Sequence, residues 1–275
     1  MKIHLCTGLP RSGSTILLNI LQQNPRIFTS STCVVPRLLN DLLTKTKVKE
    51  EFMAMEQVKA DKAMYGFARG ATYGWYEGLT DKPVAFSKSR YWSNLFHLFP
   101  ESKILVTVRD LRDVVESFEK LENKTLATHT YTSSDSTLLG AMTVEEKLNY
   151  YVNQPNPMTL SLRTEIPRSI ELFPTKRVMF VRYEDITQAP EEMLKKIYNF
   201  IEEPYFDHNL NAISQNENYE HDNVYYAEKI SHSTKSVFKY YKEPDRKLPQ
   251  WFHNQVVSNN PFFYNSFYPD VKVDK

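Results

Sequence analysis

Several features that mark large protein classes are scarce or missing in this chain of 275 residues. Its two cysteines, Cys6 and Cys33, are too few for a disulfide framework, and their separation does not match a metal-binding pair. No run of about 18 apolar residues occurs, so the sequence predicts no membrane span. The apolar stretch 3–5 is too short for a signal peptide. We therefore predict a cytoplasmic protein.

An excess of charge of one sign is also missing. Lysine and arginine total 34 and aspartate and glutamate total 33, which leaves a formal net charge of +1. Such a chain has no overall field that would draw it to nucleic acid or to an anionic membrane, so we predict neither as a partner. A local basic pocket for a small anion remains compatible with this balance.

The apolar content of the chain is sufficient for a buried core. Hydrophobic residues make up 41% of the sequence and aromatic residues 13%, which argues against disorder along the whole chain. The length fits one large domain, and no internal repeat divides it. The sequence therefore predicts a single domain over residues 1–275.

Segments typical of strands and of helices alternate along the chain. Short apolar runs predict strands at residues 3–7, 83–86, 103–108 and 177–181. Apolar periodicity predicts helices at residues 14–23, 47–76 and 110–121 and from Pro190 onward. This alternation predicts an α/β fold in which helices cover both faces of a parallel sheet.

Two of these predicted helices have apolar residues at helical spacing. Two other regions of the chain show neither a helical nor a strand period. In the predicted helix 47–76 the recurring apolar residues are Phe52, Met55, Val58, Met64 and Phe67. In the helix from Pro190 the residues predicted to face inward are Met193, Leu194, Ile197, Tyr198 and Ile201. Residues 123–142 are rich in Thr and Ser and predict a loop or insertion. The polar region from Asn209 onward predicts an irregular tail that packs on the domain.

Glycine is scarce, with seven residues, and two of them frame the most informative segment of the chain. Residues 8–15 have the sequence Gly-Leu-Pro-Arg-Ser-Gly-Ser-Thr and connect the first predicted strand to the first predicted helix. In such a loop the backbone N–H groups around Gly13 and the positive end of the helix bind an anion. The hydroxyl groups of Ser14 and Thr15 add further donors.

The basic residue of this loop is an arginine in an unusual place. A nucleoside-triphosphate loop carries a lysine where this chain has Ser14, so the sequence argues against ATP or GTP hydrolysis. The positive charge comes instead from Arg11, inside the loop. An accidental glycine turn is the alternative interpretation. The preceding strand, the following helix and Arg11 together favour an anion site.

The segment Leu-Pro-Arg-Ser-Gly-Ser-Thr at residues 9–15 resembles the 5′-phosphosulfate loop of sulfotransferases that use 3′-phosphoadenylyl sulfate (PAPS). It is similar to the loop of bacterial and phage sulfotransferase-family proteins, and tyrosylprotein sulfotransferases share its Pro-Arg-Ser-Gly form. The resemblance implies a P-loop-type parallel sheet, PAPS as sulfate donor, adenosine 3′,5′-bisphosphate (PAP) as product and no required metal. It also implies that the cofactor is bound by Pro10, Arg11, Ser12, Gly13, Ser14 and Thr15.

A second motif follows the predicted strand 103–108. Arg109 ends this strand and Ser117 lies eight residues later, on the next predicted helix. A forked cation and a hydroxyl group suit a phosphate dianion. In sulfotransferases an arginine and a serine at this separation hold the 3′-phosphate, which distinguishes the cofactor from ATP. The alternative interpretation is that Arg109 only ends a strand and Ser117 is an exposed helix residue. The loop motif at residues 8–15 favours the phosphate site over this alternative.

Four more residues are candidates for roles that the resemblance implies. Tyr183 lies in a Tyr-Glu-Asp segment whose tyrosine lies by the adenine in the family, where a flat ring can stack on a base. Lys88 resembles the catalytic lysine, which binds sulfuryl oxygens and offsets charge on the bridging oxygen, and Arg90 is a second candidate there. Lys235 would belong to a basic loop that closes over the cofactor. The alternatives are a partly buried tyrosine, a surface lysine and a solvated loop.

These assignments imply in-line transfer of a sulfuryl group to a hydroxyl or amine, with Arg11 and Lys88 stabilising the group in transit. The sequence does not identify the general base that takes the acceptor proton. The candidates are His129, His232, an acid within residues 123–142 and a residue that the sequence does not place, and a weakened enzyme without an effective base is the other alternative.

The function and the acceptor leave alternatives open. A catalytically idle protein of the same fold that binds PAPS or PAP is the main alternative. An atypical P-loop kinase is another, and Ser14 in place of the loop lysine argues against it. The acceptor is a small molecule, a carbohydrate, a lipid or a peptide.

Overall fold

A computed structural model describes residues 1–30, 33–89, 93–127, 142–214, 238–240, 242 and 245–272. Within these ranges one sheet of five parallel strands forms the centre of the domain. The strands are β1 (Lys2–Gly8), β2 (Ile27–Thr29), β3 (Val84–Lys88), β4 (Ile104–Val108) and β5 (Val178–Arg182). The four predicted strands and the parallel α/β sheet are confirmed. Strand β2 was not predicted, because three residues are too few to show a period.

Helices connect and cover these strands. Those among the described residues are α1 (Ser14–Leu21), α2 (Val35–Thr46), α3 (Glu50–Met53), α4 (Gln57–Glu77), α5 (Ser93–Leu98), α6 (Leu111–Ala127), α7 (Val144–Val152), α8 (Pro157–Leu160), α9 (Ile166–Leu172), α10 (Tyr183–Gln188), α11 (Pro190–Ile201), α12 (Gln250–Ser258) and α13 (Pro261–Phe267). A π-helical turn, Ser161–Glu165, joins α8 to α9. None of these helices has both the length and the apolar character needed to cross a membrane.

The strand order β2-β3-β1-β4-β5 determines where the functional motifs meet. Strand β1 lies in the middle, paired with β3 on one side and β4 on the other. All five strands run in the same direction, so their carboxyl ends share one edge of the sheet. Ligands of such sheets bind outside this edge, where neighbouring connections diverge. The glycine loop, Lys88, Arg109 and Tyr183 all follow or end strands at this edge.

Apolar side chains cover both faces of the sheet. On one face α1 and α11 pack against β1, β3 and β4 in a single buried cluster. The inward positions predicted for α11 are confirmed, since the buried apolar residues there are Met193, Leu194, Ile197, Tyr198 and Ile201. On the other face a larger cluster includes residues of α2, α4, α5, α6, α12 and α13.

The region predicted as one helix over residues 47–76 is interrupted, and only part of its apolar pattern is buried. It is divided into α3 and α4, and Met55, Val58 and Phe67 are exposed. The buried residues of α4 are instead Ala60, Met64, Ala68, Thr72 and Tyr76, which are spaced by four. Small residues in this row let the helix lie close to its neighbours. Of the large apolar residues in the sequence pattern, Phe52 and Met64 are buried, whereas the other three are exposed.

The C-terminal region is more regular than the irregular tail expected from the sequence. It contains α12 and α13, whose residues Phe252, Val256, Phe263 and Tyr264 are buried in the main core. Their polar and aromatic sequence hides the helical period. Helix α6 also continues to Ala127, so the first part of the predicted loop 123–142 is helical. Residues 128–141 lie outside the described ranges.

Candidate functional site

The glycine loop leaves β1 in a conformation that only glycine adopts easily. Gly8 has a φ of +128°, and a Cβ atom on it would collide with the backbone carbonyl of Thr107 on β4. The next residue confirms this close approach, because the N–H of Leu9 donates to Thr107 O at 2.9 Å. A side chain at Gly8 would therefore separate the two strands from which the site is built.

Gly13 closes the loop and begins helix α1. It lies in the left-handed region with a φ of +89°, and a Cβ atom on it would be 2.6 Å from Cδ2 of Tyr183. Gly13 offers no side-chain cap to the first turn of α1. The N–H groups of that turn consequently face the loop without a partner from the capping position, which suits an anion.

Ser12 is the loop residue whose side chain faces inward. It is 2% exposed, its hydroxyl donates to Leu9 O at 2.5 Å, and it shares a hydrogen bond of 2.6 Å with the Thr107 hydroxyl. The side chain therefore braces the loop against β4. The Ser12 hydroxyl thus makes its contacts within the protein, and the predicted role of Ser12 in cofactor binding stays a prediction.

The loop and the second motif meet directly. Arg11, which has a left-handed φ of 60°, donates from Nε to the Ser117 hydroxyl on α6 at 3.0 Å. Arg109 donates from a terminal guanidinium nitrogen to the carbonyl of Arg11 at 3.1 Å. Two segments about 100 residues apart in sequence thus bring two guanidinium groups and one hydroxyl to the same edge of the sheet.

Arg109 also lies on the ring of Tyr183, with the guanidinium carbon 4.2 Å from the ring centroid. Its Nε is buried and has no hydrogen-bond partner among the described residues. A buried N–H of a charged group costs free energy when it is unpaired, so this atom is suited to contact an anionic group. We refer to Arg11, Gly13, Arg109, Ser117 and Tyr183 as the phosphate cradle.

Lys88 approaches the loop from the other side of β1. Its Nζ donates to the hydroxyl of Thr15, in the first turn of α1, at 2.8 Å. We refer to these two residues as the transfer pair. The structure therefore brings the predicted lysine to the start of the helix that begins at the loop. Pro10 and Ser14 are half-buried within the same loop region.

Comparison with known proteins agrees with this geometry. The family model described as "Sulfotransferase family" matches residues 5–207, which include the cradle and the transfer pair. The chain belongs to the sulfotransferase family. It is 25% identical over 217 residues to a protein-tyrosine sulfotransferase of Drosophila melanogaster. That match covers 75% of this chain but only 39% of the relative.

Solved structures show the same fold. The sulfotransferase domain of the Synechococcus PCC 7002 olefin synthase superposes with a TM-score of 0.51 at 17% identity, covering 96% of this chain and 94% of that domain. The sulfotransferase domain from the curacin biosynthetic pathway gives 0.53 at 16% identity, covering 94% and 96%. At these identities the likeness supports the architecture alone.

Several residues that the sequence suggested for this sulfotransferase lie outside the described ranges. They are Arg90, His129, His232 and Lys235. The histidines within the described ranges make their contacts elsewhere: His4 with Lys103, His97 with Arg168, His208 with Tyr198, and His253 with Glu116. Burial lowers the pKa of His4 to about 4, so this side chain stays neutral in the core. None of these four contacts involves the loop or Lys88.

A row of buried carboxylates beside the cradle was not predicted. Asp110, directly before α6, and Asp113, Glu116 and Glu119 within it recur every three residues, and Glu184 follows Tyr183; each is 7% exposed or less. Buried charges need partners, and these have arginine, lysine, histidine or tyrosine within reach. The sequence signal that could have revealed these buried carboxylates is their spacing of three residues beside the apolar positions of α6. Within the described ranges no group of three His, Cys, Asp or Glu could hold a metal ion.

Two of these carboxylates flank cradle residues directly. Asp110 follows Arg109 and accepts hydrogen bonds from Arg112 at 3.0 and 2.5 Å. Burial alone would raise the pKa of Asp110, but the hydrogen bond and charge of Arg112 outweigh burial and lower the pKa. Burial raises the pKa of Glu184, and hydrogen bonds such as the one from Tyr268 offset this only in part.

Proposed function

We propose that this sulfotransferase transfers a sulfuryl group from PAPS to a hydroxyl or amine of an acceptor by in-line displacement. The observation that carries the proposal is the phosphate cradle, in which Arg109 presents a buried and unpaired Nε beside Arg11 and Ser117. When bound, PAPS supplies a sulfuryl group activated by its bond to the 5′-phosphate, and PAP is the product that leaves.

The two ends of the cradle suit the two phosphates of PAP. The N–H groups at the start of α1 and the side chain of Arg11 would hold the 5′-phosphate. Arg109 and Ser117 would hold the 3′-phosphate. Ser117 accepts a hydrogen bond from Arg11, so its own hydroxyl hydrogen can be donated to a phosphate oxygen. These contacts fix the phosphate groups and thereby orient the sulfuryl group for attack.

The transfer pair would stabilise the negative charge that develops during transfer. Nζ of Lys88 lies 2.8 Å from the Thr15 hydroxyl, so its positive charge is at the helix end where the 5′-phosphosulfate would bind. Lys88 would stabilise the negative charge that gathers on the bridging oxygen as the bond to sulfur breaks. Arg11 would add its charge from the loop. Both groups are in place before the reaction, which avoids the cost of reorganising solvent.

The remaining proposed roles come from the sequence resemblance and, for Tyr183, are supported by its contact with Arg109. Tyr183 holds the guanidinium of Arg109 from one side, and we propose that its ring borders the adenine. Lys235 is proposed to close over the cofactor. The curated relative acts, by its name, on protein tyrosine. A phenolic hydroxyl of a peptide is therefore the first acceptor to test, ahead of carbohydrates, lipids and amines.

A thermal-shift comparison tests the cofactor assignment. A ligand at about 100 times its Kd should stabilise the protein by about 2.7 kcal/mol. We expect this for PAP and not for ATP with Mg²⁺. A larger shift with ATP would overturn the PAPS assignment and favour the kinase alternative. Radiolabelled sulfate transfer from PAPS to tyrosyl peptides, sugars, lipids and amines then tests catalysis. PAP binding with no transfer to any of them would favour the idle alternative.

A further inference from the structure

Two tyrosines at the end of the last described helix reach both carboxylates that flank the cradle. Tyr264 lies in α13, and Tyr268 directly follows the helix, where its N–H donates to the Tyr264 carbonyl at 2.8 Å; we refer to the two as the tyrosines of α13. The Tyr264 hydroxyl donates to Asp110 Oδ1 at 2.9 Å, and the Tyr268 hydroxyl donates to Glu184 Oε2 at 2.8 Å. All four side chains are buried, so these hydrogen bonds are shielded from water.

The two carboxylates are themselves connected. The backbone N–H of Asp110 donates to the second oxygen of Glu184 at 3.3 Å. The carboxylate of Glu184 therefore joins the end of β4, the end of β5 and the residue that follows α13. The ring of Tyr268 also lies 4.6 Å from the guanidinium carbon of Arg182. Tyr268 thus contacts the residues on both sides of Tyr183.

This network ends on the residues that would read the 3′-phosphate. Arg109 immediately precedes Asp110, Tyr183 immediately precedes Glu184, and the guanidinium of Arg109 lies 4.2 Å from the Tyr183 ring centroid. A shift of either carboxylate would move the backbone from which Arg109 or Tyr183 projects. Both tyrosines of α13 lie beyond the segment that matches the family model.

We propose that Tyr264 and Tyr268 are positioning residues for recognition of the 3′-phosphate. They hold Asp110 and Glu184, and through these residues they fix Arg109 and Tyr183 in the geometry of the cradle. The C-terminal region, from which the sequence suggested only a wrapping tail, thereby becomes part of the cofactor site. The proposal rests on the proposed function, because it assumes that the ligand carries a 3′-phosphate.

The chain provides a matched control for the substitution of a buried tyrosine. Tyr151 is 1% exposed, and its hydroxyl donates to Glu119 Oε1 at 3.1 Å. Tyr151→Phe therefore removes a tyrosine donor from a buried carboxylate of α6. Glu119 lies two residues beyond Ser117 and does not flank Arg109 or Tyr183. A loss that arises from general destabilisation would appear in this variant as well.

The test compares the Kd values of PAP and adenosine 5′-monophosphate (AMP) by calorimetry. The wild type should prefer PAP. Tyr264→Phe and Tyr268→Phe should each reduce this preference by about threefold to tenfold, with the Kd of AMP nearly unchanged. Tyr151→Phe should keep the full preference. An undiminished preference in both α13 variants, or an equal loss in Tyr151→Phe, would overturn the proposal.

A second measurement needs no variant. PAP bound to the wild-type protein should slow amide hydrogen exchange in residues 261–268 more than AMP does at equal saturation, because linkage is reciprocal. Equal exchange with the two ligands would contradict the positioning role. A wild type that binds PAP no better than AMP would instead refute the proposed function, so the two failures are distinguishable.

Discussion

The phosphate cradle and the transfer pair are built in different ways. Cradle residues come from the ends of β1, β4 and β5 and from α6, and they contact one another: Arg11 with Ser117, Arg109 with Arg11, and Tyr183 with Arg109. The transfer pair depends on the long side chain of Lys88, which reaches across to α1. We therefore expect substitutions in the cradle to affect mainly cofactor binding, and substitution of Lys88 to affect mainly transfer.

The largest expected effect comes from substitution of Lys88, which should slow transfer while leaving cofactor binding by the phosphate cradle nearly unchanged. We refer to the phosphate cradle and the transfer pair as the two halves of the site. Lys88→Ala removes the positive charge beside the bridging oxygen, and we expect kcat to fall about 100- to 1,000-fold. The Kd of PAP should change by no more than about threefold, because the cradle contacts stay in place. Single-turnover rates and calorimetry measure the two quantities.

Lys88→Arg is the control for this prediction. It keeps the charge but changes the shape of the cation, and it should restore part of the lost rate. If Lys88→Ala weakened PAP binding as much as it slowed transfer, the division between the two halves would be wrong.

Ser117→Ala should produce a smaller effect, and this effect should be on cofactor binding and not on the rate of transfer. It removes the hydroxyl that joins α6 to Arg11 and would donate to the 3′-phosphate, so the Kd of PAP should rise about fivefold. The rate of transfer at saturating PAPS should be nearly unchanged. Measuring kcat and KM for PAPS separately checks this, and a drop in kcat without a rise in KM would place Ser117 in the transfer half.

The smallest functional effect is expected at His4, which is buried in β1 away from both halves. Burial first, and then the charge of Lys2, lower the pKa of His4 from 6.5 to about 4. Between these values the unfolded chain binds a proton that the folded chain does not, so stability falls as the pH drops from about 6.5 to about 4. The loss attributable to His4 should be about 2 to 3 kcal/mol.

His4→Asn tests this expectation, since its side-chain oxygen can still accept the hydrogen bond from the N–H of Lys103. Denaturant unfolding at pH 7 and pH 4.5 should show a smaller acid-induced loss in the variant than in the wild type. The Kd of PAP at pH 7 should be the same in both proteins. An unchanged pH dependence would show that His4 is not a source of the acid sensitivity.

The motifs at the carboxyl edge of the sheet could be predicted because each follows a strong local pattern. Gly8, Gly13, Arg109 and Tyr183 come directly at or after recognisable apolar strands, and parallel strands bring such residues to one edge. Lys88 was predicted in the same way. The strand pattern therefore contains most of the information about where the site lies.

Long-range contacts account for what the sequence did not reveal. The inward direction of the Ser12 hydroxyl depends on Thr107, which is 95 residues away. Asp110 and Glu184 each accept a hydrogen bond from a tyrosine more than 80 residues away, so these acids look like ordinary surface residues in the sequence. The buried row of α4 mixes small residues, such as Ala60 and Ala68, with large ones, such as Met64 and Tyr76, so the large apolar residues alone do not identify it.

The central claim is that Arg109 reads the 3′-phosphate of the cofactor, and a binding cycle of four Kd values tests it most directly. PAP and AMP are titrated into the wild type and into Arg109→Ala. Because Arg109 also supports the carbonyl of Arg11, some loss is expected for both ligands. Our account predicts that PAP binding weakens about 30-fold more than AMP binding, the effect of one lost charge-assisted contact. Equal weakening of the two ligands would contradict it.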